Sequence, residues 1–428
     1  MTSVLSSESA ADVVASSSRH DVRDYTLAHL GKSVFWVAGD ALTMCILIRY
    51  SGYQPAAAGW LFLAALFWNA ICDVAVGYWA DRRAATGRSL APILCVTAPM
   101  LGIAFVVSLF LRPQEWPWTL LAALVFRTSF ALFDVPHNTM MARMSTTPAI
   151  GLRIANLRTI AAGTAALAVG FVALPLLDSG GEVYALPLVL GLSSVSIVLM
   201  LPFLGVLPRL ERLPYQPTAI VCSPAAAPTL GFTRLCAISA CGTVVLAALS
   251  KAIFHLDLVH NRWAKAALLA MMLGRIAAIV TAGGLIARFG KARTLCIAYT
   301  AATLLIMGLP VALAAGEWMP LVFFLLLGLA LGTEIIVSWL ILAALVRAST
   351  ASMRYGASRF GIFTMITKVT TGIGGLILGL LLSSPDTTAT PLPVMQGATL
   401  WSLCALAAVG TTVAAWLTRT KHAMKSSQ

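Results

Sequence analysis

The sequence predicts an all-α membrane protein, with about twelve transmembrane helices arranged as two pseudo-symmetric six-helix bundles. Three observations predict it. The 428 residues are 59% hydrophobic and 11% charged, with mean hydropathy +0.88, whereas a soluble chain carries about 25% charged residues. Long apolar runs recur along the whole chain, each near the roughly 20 residues that cross about 30 Å of hydrocarbon. A proline-rich break divides the runs into two sets. Backbone groups inside a bilayer must be bonded internally, which leaves helices or closed barrels. Barrel strands alternate in polarity; these runs are continuous, so they are helical.

Residues 1–30 are polar, with Glu8, Asp12 and Asp21 among many Ser and Ala. They lack the basic and apolar regions of a signal peptide and read as a disordered cytoplasmic tail. The first bundle, residues 31–208, holds spans Gly31–Tyr50, Ala58–Trp79, Leu90–Leu111, Trp118–Thr139, Ile154–Leu177 and Tyr184–Leu207. Residues 209–230 form a cytoplasmic linker, because Pro214, Pro217, Pro224 and Pro228 cannot continue a helix. The second bundle, residues 231–418, holds Gly231–Lys251, Trp263–Ala287, Ala292–Ala315, Met319–Val346, Gly356–Leu382 and Gln396–Leu417, and residues 419–428 form a C-terminal tail.

The formal charge of +13 is not a nucleic-acid footprint, because the basic residues sit in short loops at alternate ends of the spans. Arg82, Arg83 and Arg88 follow span two, Arg143 and Arg153 span four, Arg209 and Arg212 span six, and Arg288, Lys291 and Arg293 span eight. The opposite loops carry Glu115, Asp178, Glu182, Glu317 and Asp386. The positive-inside rule puts both termini in the cytoplasm of a cell whose plasma (inner) membrane holds the chain. The eight cysteines show no metal-ligand spacing, and neither a metal nor a cofactor is expected.

The loop after span two reads Gly77-Tyr-Trp-Ala-Asp81-Arg82-Arg83 and ends in Gly87-Arg88; a weaker copy, Gly284 to Arg293, follows span eight. Small Gly77 permits close helix approach, and Asp81 is expected to pair with an Arg and lock that end. With the two-bundle layout, this loop resembles the signature of major facilitator transporters.

Ionisable side chains at membrane depth are functional hypotheses by default. Lys32 and Asp40 lie on span one, Asp73 on span two, Arg127 and Asp134 on span four, Arg158 on span five, Glu334 on span ten and Lys368 on span eleven. Asn69, Asp73 and Gly77 share one helical stripe, and Pro136 follows Asp134 closely. A carboxylate beside amides and free carbonyls suits a small cation or a proton; it equally suits a hydrogen-bonded polyol, or a structural ion pair between helices. Lys32 and Arg158 have the alternative of snorkelling to the surface, and nothing around Asp40, Arg127 or Glu334 separates function from structure. His137 reads as a satisfied histidine near a helix bend.

In order, Gly31-Lys32-Ser33, Asn69-Ala-Ile-Cys-Asp73 with Gly77, the Arg82–Pro92 loop, Asp134-Val135-Pro136-His137, Arg158 and Lys368 resemble the glycoside–pentoside–hexuronide cation symporters, the melibiose permease family of the major facilitator superfamily. The resemblance implies a secondary transporter working by alternating access. It implies cation or proton coupling at Asp73 and Asp134, substrate contacts from Arg158 and Asp134, and Lys368 as a charge partner across the halves; Asn69 is a further candidate for coupling, and Asn138 and Lys32 for substrate. It also implies that Gly77, Asp81, Arg82 and Arg88 form a conformational loop. Ser33 and Asn69 stand where the family has acids, Ala131 where it has Thr, and Asn138 where it has an aromatic ring. The stretch around Ala344 and Arg347 lacks the family's acids. These departures favour protons over sodium and loosen the galactoside assignment.

The expected protein is therefore a monomeric symporter of a small polar solute, with sugars and glycosides as candidates. The alternatives are an exporter or carrier of an amphipathic solute (a lysolipid, peptide or siderophore) and a non-transporting receptor. No HExxH or GxSxG motif supports an enzyme.

Overall fold

The computed structural model describes residues 19–145, 147–177, 182–212, 231–240, 242–243, 261–314, 318–347 and 356–382, and nearly all of them are helical. The order is α1 (Arg19–Arg49), α2 (Pro55–Ala85), α3 (Ala91–Phe110), α4 (Trp116–Met144), α5 (Pro148–Leu177) and α6 (Glu182–Arg212). Then come a short run α7 (232–240), α8 (Asn261–Ala314), α9 (Trp318–Arg347) and α10 (Gly356–Leu382). Among the described residues nine helices are long and apolar enough to cross a bilayer. One of them, α8, breaks at Gly290, whose φ of 76° and ψ of 161° are not helical. Its arms, 261–289 and 291–314, are about 43 and 36 Å long at 1.5 Å per residue, so each can cross. They correspond to predicted spans eight and nine, with α9 and α10 as spans ten and eleven. Residues 241 and 244–251 of predicted span seven, and all of span twelve, lie outside the described residues.

Local chemistry explains several boundaries. Helices α2, α3 and α4 each begin with proline in the first turn, where its missing N–H costs nothing. The interior prolines Pro99 and Pro136 are absorbed in continuous helices, as bundle neighbours allow. The two copies of the basic loop turn at matching glycines, Gly87 (φ 68°) and Gly290 (φ 76°). Side chains with a Cβ rarely adopt that conformation.

Two predicted boundaries are corrected. The disordered tail does not reach residue 30: α1 starts at Arg19. Its first turns are polar, with Arg19, His20 and Arg23 exposed, but they are anchored, because Asp21 pairs with Arg209 of α6 and Tyr25 is fully buried. The linker likewise does not begin at residue 209, since α6 continues to Arg212. Glu211 accepts the Leu90 N–H at 3.0 Å, and its backbone carbonyl accepts from Arg143. A hydropathy scan misses such helix ends because their polar side chains pair with one another.

The outer surface is apolar: Val280 is 84% exposed and Trp318 77%. A soluble protein would bury such residues in a patch this extensive, so the face meets lipid. The first half packs α1 against α5 and α6, and α4 against α2 and α3. The halves meet chiefly along α2 and α10, where glycines let backbones touch. A Cβ added at Gly59 would lie 3.4 Å from the Gly379 Cα, and one at Gly77 2.8 Å from the Ala357 carbonyl oxygen. One at Gly361 would collide with the Asp73 carbonyl oxygen. A second seam joins α5 to α8.

Candidate functional site

Between the halves lies a cavity of about 370 Å³, lined by α1, α4 and α5 on one side and α8, α9 and α10 on the other. Its polar centre is an ion-pair network. Lys32 Nζ of α1 sits 2.5 Å from Asp134 Oδ1 of α4 and donates to Asn138 Oδ1 at 2.6 Å. Lys368 Nζ of α10 lies 2.6 Å from Asp73 Oδ2 of α2 and 3.4 Å from Asp134 Oδ2. One ammonium from the second half thus bridges two carboxylates of the first. All four side chains are buried, and Asp73 is fully so. A buried ion pair is tolerable only when well paired and hydrogen bonded. Here Asn69 donates to Asp73 Oδ1 at 3.1 Å and Asn138 to Asp134 Oδ1 at 3.0 Å, each from one helical turn away.

Arg158 of α5 joins from the side. It donates to the Tyr25 hydroxyl and, at 3.0 Å, to Asn138 Oδ1, and its guanidinium lies 4.3 Å from the Trp339 ring centroid. Lys368 faces Phe130 at 4.9 Å and Trp36 at 5.7 Å, both cation–π distances. His137 is buried, donates from Nε2 to the Tyr25 carbonyl oxygen at 3.0 Å, and stacks on the Tyr25 ring. The expected satisfied histidine is met at Nε2 alone, since the buried Nδ1 has no hydrogen-bond partner among the described residues.

A second group of charges lies at the same cavity. Glu334 accepts from Tyr299 and Ser338 hydroxyls, both at 2.9 Å. Arg275 is within electrostatic reach of Glu334 and Asp40, and Arg127 within reach of Asp40. Asp40, Arg275 and Glu334 all line the cavity.

The structure therefore brings together Lys32, Asn69, Asp73, Asp134, Asn138, Arg158 and Lys368. Lys32 and Arg158 do not snorkel: each is only 4% exposed, because a carboxylate or a neutral acceptor holds each side chain inward. Gly77, Asp81, Arg82 and Arg88 lie apart, at the end of the bundle bearing the basic loops. There the closest partners of Asp81 are not arginines, although Arg143 lies within electrostatic reach. Asp81 accepts from the Ala357 and Ser358 N–H groups, both at 2.9 Å, and from the Ser358 hydroxyl. It caps the start of α10, whose first N–H groups have no helical partner and favour an anion. Arg82 and Arg88 are exposed, and Arg83 is the loop cation that is engaged, donating to the Ser89 carbonyl at 3.0 Å.

Sequence reasoning missed Arg275, Tyr25 and the aromatic walls Trp36, Phe130, Trp339 and Phe363. Arg275 carried the same signal as the others, a lone charge within an apolar run. Tyr25 was concealed by the misplaced tail boundary, and aromatic rings in a membrane span give no periodic signal of their own.

Comparison with known proteins agrees with this layout. A family model described as MFS/sugar transport protein matches residues 25–420. No curated protein matches the chain in sequence. Among solved structures, the E. coli fucose:proton symporter FucP superposes with a TM-score of 0.61 at 15% identity, over 93% of this chain and 97% of that one. The nucleoside transporter NupG gives 0.58 at 15%, over 94% and 99%. A bacterial homologue of the human peptide transporters PepT1 and PepT2 gives 0.63 at 15%, over 95% and 98%. At these identities the likeness establishes the fold alone.

Proposed function

The chain belongs to the MFS/sugar transport protein family and is a secondary transporter; from that premise we propose that it moves a small polar solute through the cavity between its halves, coupled to protons rather than sodium. The observation that carries this reading is Lys368. It reaches from the second half to hold Asp73 and Asp134 of the first, in the wall of the cavity. Alternating access requires the halves to rock about a central site, so a tie of this kind must be released and remade in each cycle. A proton on Asp73 neutralises that carboxylate and leaves Lys368 with its longer contact to Asp134, at 3.4 Å. The solute then engages Asp134, Asn138, Lys32 and Arg158.

Sodium fits less well. The carboxylate oxygens that would ligate it already hold ammonium nitrogens at 2.5–2.6 Å, and Asn69 offers an amide where a second acid would be needed. Sugars and glycosides suit the amides and charges, as the family description and the fucose and nucleoside neighbours suggest. The aromatic walls favour a second reading, an amphipathic solute. The protein works as a monomer in a plasma (inner) membrane with both termini cytoplasmic, binds no nucleic acid and catalyses no covalent chemistry. That orientation rests on the basic loops gathered at one end of the bundle.

The test is uptake into proteoliposomes of labelled galactose, galacturonate, uridine and phenylacetate under imposed proton or sodium gradients. An inward proton gradient should drive accumulation of at least one solute. Accumulation driven by sodium alone, or indifferent to both gradients, would refute the coupling.

A further inference from the structure

The buried charges of the cavity do not cancel. Asp73 and Asp134 are matched by Lys368 and Lys32. Asp40 and Glu334 are matched by Arg127 and Arg275, which lie within electrostatic reach of them. Among the described residues this leaves Arg158 as the ninth charge, with Tyr25 and Asn138, both neutral, as its hydrogen-bond partners. His29 and His137, also nearby, are neutral or would add positive charge. A guanidinium 4% exposed and without a carboxylate is costly in any protein and more so at membrane depth. Such a charge persists where something else compensates it during function.

We propose that the transported solute is an organic monoanion, a carboxylate seated on Arg158 with its body against the aromatic walls. This rests on the transporter reading above and specifies the cargo's charge. Arg158 lines the cavity, and its planar fork suits a carboxylate. The Trp339 ring, with its centroid 4.3 Å from the guanidinium carbon, packs on Arg158 from the second half. Trp36 and Phe130 from the first half and Trp339 and Phe363 from the second face the same space. A volume of about 370 Å³ is far larger than an inorganic anion needs. An anion on Arg158 would therefore touch both halves, complete the charge balance and hold the cavity walls together.

The experiment is thermal melting of the purified full chain with matched pairs that differ in charge: phenylacetate and phenylacetamide, indole-3-acetate and indole-3-acetamide, galacturonate and galactose. Ligands that bind the folded form raise its melting temperature by mass action. At least one acid should bind tenfold or more tightly than its neutral partner. In Arg158→Gln that preference should fall to within twofold, and Arg158→Lys should keep part of it. Without ligand, Arg158→Gln should melt no lower than wild type, because it removes an uncompensated charge; a purely structural arginine would give a lower melting temperature. Equal binding of each pair, preference for the neutral member, no stabilisation by any acid, or the same stabilisation by chloride would each overturn the proposal in the wild-type protein, whatever the variants do. Counterflow of galactose and phenylacetamide in proteoliposomes separates the two readings: exchange of neutral solutes without acid preference would leave transport standing and remove the charge assignment.

Discussion

Replacing Asp81 with alanine should loosen the closure between the halves at the end bearing the basic loops. The side chain supplies three hydrogen bonds to the first turn of α10, two from backbone N–H groups at 2.9 Å and one from the Ser358 hydroxyl. Loss of a helix-capping acceptor costs about 0.5–2 kcal/mol, and removal of the negative charge from a helix N-terminus about 0.3–1 kcal/mol more. A combined effect of about 2 kcal/mol is about thirtyfold in an equilibrium, at about 1.4 kcal/mol per tenfold. Because Asp81 is on α2 and the cap is on α10, that shift falls on separation of the two halves. Spin labels at the exposed positions Ala84 and Arg288, in a chain with its native cysteines replaced, would report it by pulsed electron resonance. The population at long distance should grow about thirtyfold in Asp81→Ala. Ser358→Ala, which loses one bond of the three, should give a smaller shift of about threefold, near 0.7 kcal/mol. An unchanged distance distribution in Asp81→Ala would refute the idea that this cap holds the halves together.

Two further predictions concern packing and charge. Gly361→Ala places a methyl group against the Asp73 carbonyl and should destabilise by about 1–3 kcal/mol, read as a lower melting temperature in detergent. Gly191→Ala, with nothing within 4 Å, should change little; equal effects of the two would contradict the α2–α10 seam. Lys368→Met leaves Asp73 buried without its ammonium and should cost about 3–5 kcal/mol. The double variant Asp73→Asn with Lys368→Met should recover most of that stability while transport stays lost. A single variant as stable as wild type would show that the pair is not what offsets the Asp73 burial.

Much of the site was legible because a charge inside an apolar run needs no periodicity to be noticed. Lys32, Asp73, Asp134, Arg158 and Lys368 were all visible that way, and they converge. Their pairing was not legible. Lys368 lies 295 residues from Asp73, and no local spacing says that it, rather than Lys32 or Arg127, holds that carboxylate. Asp81 shows the same limit in another form. An acid beside arginines suggests an ion pair, but two of its three hydrogen bonds come from backbone N–H groups, which every sequence contains and none advertises. The helix ends were misjudged for a related reason. Asp21, Arg209 and Glu211 look solvated in a hydropathy scan, yet each is held by a partner from another helix. Among the described residues, predicted spans one to six and eight to eleven are all found as helices, since bilayer thickness sets a minimum helix length.

The central claim is that the cargo binds at the ion-pair network between the halves. Counterflow in proteoliposomes tests it most directly, comparing wild type with Asp134→Asn, a variant that keeps the shape of the side chain and removes the charge shared by Lys32 and Lys368. For every solute that wild type exchanges, among galactose, galacturonate, uridine and phenylacetate, the variant should exchange at least tenfold more slowly while remaining monodisperse in detergent. Exchange by Asp134→Asn at the wild-type rate would contradict the claim.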